Sequence, residues 1–393
     1  MNSGRNVRTV AFYLPQFHAI PENDAWWGEG FTEWVSVRNA RPQYPEHPVP
    51  SVPGVLGQYD LSEPEMLHRQ SEMARQGGVD AFCIYFYWFS GKRLLDGPTE
   101  RWREDSTLLP YCLSWANENW TRRWDGKSHE ILARQCYEEG YEQAVFEELL
   151  PHFRADHYLK VAGCPVLLVH RSDLLPDAKR FSEVLRTLAV EAGLPGLHLI
   201  AAETKAGLRA SSLGFDAVAE FPPVGASTLR NAWVRPVAEL STKFEGRLMS
   251  YDKLADSYSR RREPRQIRYR CVAPGWDNTP RRQERATIYA GASPARYSRW
   301  LEHARDREAQ RDGGGLVFIN AWNEWGEGAY LEPDGRNDDA YLRATAGGRD
   351  LEQSSTAPVE RRGIPSQAQF RSILRAAAGS LLGIARRVRN AWG

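Results

Sequence analysis

The sequence predicts an α/β fold: a (β/α)8 barrel of the TIM type, followed by a C-terminal amphipathic helix. Three observations carry this expectation. Short apolar runs of strand length alternate with amphipathic, helix-length segments from about residue 7 to residue 320, and the runs number eight. Polar and aromatic residues gather just past the carboxyl ends of those runs, where barrels of this kind place their sites. At 393 residues the chain is long enough to bury a large core as one unit.

The elements follow in chain order. Val7 to Leu14 is the first run, and a long aromatic and proline-rich loop leads from it to a helical segment, Pro64 to Gln76, stopped by Gly77-Gly78. Ala81 to Phe89 is almost wholly apolar and aromatic, as a strand with both faces buried must be. A short helical stretch, Thr99 to Glu104, precedes the third strand, Leu109 to Trp115, and Tyr141 to Phe153 is helical by spacing. Pro165 to His170 is the fourth strand, followed by a helix from Asp177 to Ala192 that ends at Gly193. His198 to Ala202 and Ala217 to Phe221 are the fifth and sixth strands. Val224 to Arg262 is too long for a simple connection and reads as a helix plus an excursion. Arg268 to Ala273, a helix from Pro294 to Gln310, and Leu316 to Asn320 complete the barrel.

Composition narrows the function. Lys plus Arg (51) balances Asp plus Glu (50), so no global field points to nucleic acid, and none is expected as a partner. Fourteen Trp and sixteen Tyr suit a carbohydrate site as well as a core. The five cysteines are odd in number and widely spaced; four lie in apolar runs and read as buried free thiols, not metal ligands. No metal cluster or Gly-rich phosphate loop stands out, and no cofactor is expected. Met1 to Val10 lacks an apolar leader core and no 18 apolar residues run together, which sets the expectation of a soluble, cytoplasmic chain.

The chemistry concentrates in Trp322-Asn323-Glu324-Trp325-Gly326-Glu327-Gly328, directly after the eighth run. Two carboxyl groups three residues apart, set between indole rings, match the needs of glycosidic-bond chemistry, in which one carboxyl handles the leaving-group proton and the other acts as base or nucleophile. Glu324 and Glu327 are the candidate catalytic pair, with Asn323 and Trp325 beside them for substrate. The alternative is that the glutamates cap a turn and the tryptophans are core. Ends of other strands supply further candidates: Tyr13, Gln16 and His18; Tyr87 and Trp88; Trp115, Asn117, Glu118, Trp120 and Arg122; His170, Glu203 and Glu220; Trp276 and Asp277. Asn117 and Glu118 suit hydroxyl binding or turn chemistry, with the flanking Trp115 and Trp120 favouring the former. Arg122 and Arg123 suit either a phosphate or a salt bridge to Asp125 or Glu118. His18 fits a packing residue better than a catalyst, with substrate contact as the alternative.

The stretches Phe12 to His18, Trp115 to Gly126 and Ala321 to Gly328 resemble the WbsX family, named for glycosyl transfer in O-antigen and related polysaccharide clusters and related to the family 99 glycoside hydrolases, the endo-α-mannosidases. The resemblance spans about residues 5 to 345. It implies a (β/α)8 barrel whose essential carboxylates are Glu324 and Glu327. It further implies that Glu324 acts as base on the sugar's own 2-hydroxyl, whose oxygen attacks the anomeric carbon, while Glu327 protonates the leaving oxygen. The mannosidases carry His where this chain has Gly326, which takes away a sugar contact and leaves the sugar specificity open.

Three functions stay open: transfer of glycosyl groups in surface-polysaccharide synthesis, endo-acting hydrolysis, and glycan binding without turnover. The substrate is expected to be a glycan or a lipid-linked sugar. The organisation is read as a catalytic domain over 1–348, a flexible linker over 349–367 and a basic amphipathic helix over 368–393. In that last segment Phe370, Ile373, Leu374, Ala377, Leu381, Ala385, Val388 and Trp392 recur at spacings of three and four, with arginines opposite. The pattern suits peripheral contact with an anionic membrane at its inner face, and packing back on the barrel is the alternative.

Overall fold

A computed structural model of the chain describes residues 7–50, 53–122, 127–263, 265–311, 315–348 and 357–392, with the side chains of 122–130 and 382–392 outside that description. Eight strands form the barrel: β1 (Val7–Tyr13), β2 (Ala81–Phe89), β3 (Tyr111–Trp115), β4 (Cys164–Val169), β5 (His198–Ala202), β6 (Ala217–Ala219), β7 (Ile267–Val272) and β8 (Gly315–Ile319). Each pairs in parallel with its neighbours in chain order. β8 then pairs in parallel with β1, Val10 standing beside both Ala81 and Phe318, and closes the sheet.

All eight expected strands are present; most runs are apolar on both faces, both of which are covered, while β7 turns Arg270 outward to pair with Glu220. Strand residues alternate between the barrel interior and the helical shell. Phe12 points inward and packs its ring 5.1 Å from Phe221, 5.6 Å from Phe318 and 5.9 Å from Tyr85. Its neighbour Tyr13 points outward, 5.0 Å from Phe82 and 5.3 Å from Trp102 of the shell. Cys83, Cys112 and Cys271 are fully buried and Cys136 and Cys164 partly so; all five thiols are free.

The shell helices Pro64–Gln76, Tyr141–Phe153, Ala178–Glu191 and Pro294–Glu308 lie where the spacing places them. Asp177 and Ser293 cap two of them by accepting from the backbone N–H groups of Arg180 and Arg296. The helix before β3, Asp96–Glu104, is longer than expected. The loop after β1 holds two short helices, Pro21–Trp27 and Glu33–Arg38, too brief for a hydrophobic period to reveal them. The excursion after β6 contains the strand Arg247–Ser250, paired in parallel with Thr287–Ala290, and the helix Tyr251–Ser259. A satellite core including Val237, Phe244, Leu248 and Ile288 lies beneath it.

The terminal helix, Gln367–Trp392, folds back onto this excursion. The amide of Leu248 donates to Ser372 Oγ at 2.8 Å, that of Val237 to Gln369 Oε1 at 3.0 Å, and that of Leu229 to Ser380 Oγ at 2.9 Å. Residues 349–356 of the expected linker lie outside the described residues. Its described part is pinned, with Ala238 donating to the Val359 carbonyl and Arg361 to that of Pro236. Among the described residues no helix is long and apolar enough to cross a membrane.

Candidate active site

The carboxyl ends of the strands open into a cleft of about 420 Å³, within the range of small-ligand sites. Strand alternation selects what enters it. Leu14 and Gln16 follow the inward parity of Phe12, and Tyr85 and Tyr87 share the inward face of β2. The Trp120 ring stacks on Tyr87 at 5.3 Å, and both rings are half-buried, leaving an aromatic surface toward the cavity. Gln16 Nε2 donates to the Tyr87 hydroxyl at 2.7 Å. Glu118, His170 and Trp276 complete this part of the wall.

Glu324 and Glu327 enter from a clamped hairpin. Asn323–Glu324 pairs antiparallel with Ala329–Tyr330, and one 3-10 turn, Trp325–Glu327, joins the two. Residues three apart eclipse on such a turn, so both carboxyls face one side. Gly328 closes the hairpin with φ at +59°, and a side chain there would also strike the Asp277 backbone. Asn323 holds the base, accepting from the Leu14 amide at 2.7 Å and donating to the Leu14 carbonyl at 3.0 Å. The Trp325 ring stacks on Tyr330 at 3.8 Å and donates through Nε1 to Glu332 at 2.6 Å. Glu332 also accepts from Tyr59 and Gln70, and burial pushes its carboxyl up to about 7.

One guanidinium organises the pair. Arg281, on the Thr279–Arg282 turn after β7, places Nη2 3.0 Å from Glu324 Oε2, Nη1 2.9 Å from Glu327 Oε1 and Nε 2.8 Å from Glu33 Oε1. Glu33 comes from the short helix after β1 and is fully buried. Gly326 makes room for this pair: a Cβ there would overlap Glu33 Oε1 and lie 2.6 Å from Arg281 Nε. The position where the mannosidase pattern has His is thus filled from elsewhere in the chain. Burial pushes Glu324 up to about 8, with Arg281 opposing and the Glu327 and Glu33 charges adding. Burial raises Glu327 as well, against the same guanidinium. Burial opposes the charge on Arg281, but the three carboxylates more than offset it and raise its pKa further. Glu324 and Glu327, raised together on one cation, take up protons as a coupled pair.

Of the sequence candidates, Gln16, Tyr87, Glu118, Trp120, His170, Trp276, Glu324 and Glu327 line the cleft together. Asp277 instead lines an adjoining cavity of about 330 Å³ that shares Trp276, with its carboxylate 2.8 Å from His47 Nε2. Others are corrected. Tyr13, Trp88 and Trp115 take the outward parity: Tyr13 donates to Gln70, and Trp115 packs on Phe181 of the shell. Asn117 is an anchor, accepting from the Arg171 amide and donating to its carbonyl and to Tyr137. Asn323 and Trp325 support the hairpin from behind, and His18 is buried outside the cleft lining, its imidazole pKa lowered by that burial. Glu203 and Glu220 also face the shell, both bound by Arg261. Glu118 pairs with Arg171 at 2.8 Å. The side chain of Arg122, and the whole of Arg123 and Asp125, lie outside the described residues. Among the described residues no group of three His, Cys, Asp or Glu is placed to hold a metal ion.

A closed barrel of eight parallel strands, with two acids and stacked aromatic rings in one cleft at its carboxyl face, is the build of a carbohydrate-active enzyme. The chain belongs to the WbsX glycosyltransferase family, whose model matches residues 9–345. It is 43% identical over 347 residues to the uncharacterized protein WxcX of Xanthomonas campestris pv. campestris, covering 86% of this chain and 48% of that protein. The chain therefore spans about half the length of the curated relatives it matches. Among solved structures it is similar in fold to a glycoside hydrolase-like protein (TM-score 0.53, 14% identity, 88% of this chain and 95% of the other). It is also similar in fold to the GH99 endo-alpha-mannosidase from Bacteroides thetaiotaomicron (TM-score 0.50, 15% identity, 97% and 98% covered).

Proposed function

We propose that this chain transfers glycosyl groups in the assembly of cell-surface, O-antigen-type polysaccharide, acting at the anomeric centre with Glu324 and Glu327. The observation that supports it is the pair itself: two carboxyls on one guanidinium, inside an aromatic-walled cleft. In this reading a sugar of a glycan or lipid-linked substrate stacks against Trp120 and Tyr87. The pair reacts with one proton between its two coupled carboxyls: ionised Glu324 takes the proton of the attacking hydroxyl while protonated Glu327 gives one to the leaving oxygen, so one proton enters the pair as one leaves. With Glu33 held on Nε, the two Nη ends of Arg281 then face the one negative charge that moves between Glu324 and Glu327, which the fixed guanidinium stabilises without rearrangement. A synthetic role sets the protein beside the cytoplasmic pool of precursors.

Hydrolysis is the second reading, supported by the same paired carboxyls and by a barrel that lacks the nucleotide-binding βαβ halves of ordinary glycosyltransferases. Incubation with polysaccharide-precursor glycans in ¹⁸O-labelled water separates the two. Transfer yields a lengthened glycan without label, and hydrolysis yields labelled reducing ends. Glu324→Gln and Glu327→Gln should each lower turnover by a factor of hundreds to thousands, about 3–5 kcal/mol of transition-state stabilisation, with the fold kept. Near-native turnover in either variant removes the assignment. Glycan binding with no product of either kind supports a non-catalytic barrel.

A further inference from the structure

The terminal helix meets the barrel with its small, polar side. Gln369, Ser372 and Ala376 are buried against the excursion, and Gly379 lets the helix approach so closely that a Cβ there would come within 2.6 Å of the Ser227 carbonyl oxygen. The opposite side carries the apolar stripe. Phe370, Leu374 and Leu381 are 56%, 53% and 69% exposed, and they fall together on one helical face at spacings of four and seven. Leu229, whose amide bonds the helix at Ser380, and Val234, beside the Trp233 and Arg235 carbonyls that Gln369 binds, are exposed as well. Exposed apolar side chains gathered in this way mark an interaction surface.

We propose that this outward stripe is a docking surface for an anionic lipid bilayer, which the helix enters lengthwise while its other side stays bound to the barrel. Charge identifies the occupant. From Ala368 to Gly393 the sequence has five arginines and no acidic residue; Arg371 donates to the Thr242 carbonyl and Arg375 pairs with Glu245 at 3.6 Å, and the excess of positive charge that remains complements acidic headgroups. A second copy of the chain would set one acid-free arginine helix against another. The helix is amphipathic and unsuited to spanning, so it lies in the interface plane with its rings and leucines in the acyl boundary. Its seat also bears on the cleft. Ser227, under the helix, contacts the Tyr289 hydroxyl at 3.2 Å, and Val224 of the same segment lines the cleft. The seat of the helix, opposite the stripe, is thus joined to the cleft wall through this one segment.

The test uses the full chain in vesicle flotation at physiological salt, with vesicles of phosphatidylglycerol and phosphatidylcholine against phosphatidylcholine alone. The wild type should prefer the anionic vesicles by at least about tenfold, and the preference should shrink as salt screens it. Phe370→Ser/Leu374→Ser/Leu381→Ser should lower the partition by at least about a hundredfold with an unchanged melting temperature, because the three side chains face solvent. Wild-type protein that floats with neither vesicle, or a triple variant that floats like the wild type, overturns the proposal. So does a dimer, seen by light scattering, that the triple variant abolishes while flotation is absent; the stripe then belongs to a second copy. The assay needs no substrate, so it stands or falls apart from the glycosyl-transfer reading.

Discussion

Replacing Arg281 by Met removes the cation that three carboxylates share within 3.0 Å, and the cost can be worked from their burial. The Glu33 side chain is wholly buried and that of Glu324 is 8% exposed, so little water is at hand to take over from the guanidinium. Breaking a buried ion pair by deleting one partner costs about 3–5 kcal/mol, because a charge is left uncompensated. The loss depends on pH, with a definite sign. Glu324 and Glu327 already lie above their unfolded value, so between about pH 4.5 and 8 the folded state binds more protons and stability falls as pH rises. Arg281 opposes that upward shift in both groups. Without it they hold protons to still higher pH, and the slope steepens toward about 1.4 kcal/mol per pH unit for each extra proton retained. Urea unfolding at pH 5, 6.5 and 8 should therefore show Arg281→Met closest to the wild type at pH 5 and furthest from it at pH 8. A loss of under about 1 kcal/mol at pH 8, or one independent of pH, would mean that the carboxyls do not depend on this guanidinium.

Two further outcomes follow from the same geometry. Glu324→Gln should melt several degrees higher than the wild type at pH 8 and nearly the same at pH 5, since it removes a buried acid that must ionise in between; calorimetry at the two pH values checks it. Gly326→Ala should lower the melting temperature and reduce turnover about as severely as loss of a catalytic carboxyl, because its methyl group displaces the Glu33–Arg281 pair; near-native values in both measurements would show that the hairpin yields at little cost.

The legible part of this molecule is the part set locally. Most barrel strands are runs that water would solvate poorly on either face, so burial on both sides was dictated by composition, and helix caps such as Asp177 and Ser293 are single-residue signals. Glu324 and Glu327 are likewise local: three residues apart on one tight turn, they share a side wherever the hairpin sits. Position at a strand end, by contrast, does not bring a side chain into the cleft. Tyr13, Trp88 and Trp115 end strands as Gln16 and Tyr87 nearly do, but they differ by one residue in parity, and a period of two sends them into the shell. Counting that parity along Phe12-Tyr13-Leu14-Pro15-Gln16 is the signal that separates them.

Other features have no local signal. Arg281 and Glu33 stand 248 residues apart, and only closure of the barrel brings them together over Gly326. In the sequence that glycine is simply a position without a side chain to offer a sugar; in the fold it is the space that the ion pair occupies. The terminal helix makes the same point about amphipathicity. Its period establishes that two unlike faces exist, while the choice of which one docks fell to Gln369, Ser372 and Ser380, whose side chains accept backbone N–H groups that the excursion leaves open. Sequence alone thus determined the eight barrel strands, the long shell helices and the spacing of the paired acids, because these depend on neighbours in the chain. Tertiary structure decided which side chains face the cleft, which cation holds the acids and which face of the last helix meets solvent, because burial and pairing are properties of segments that only folding places side by side.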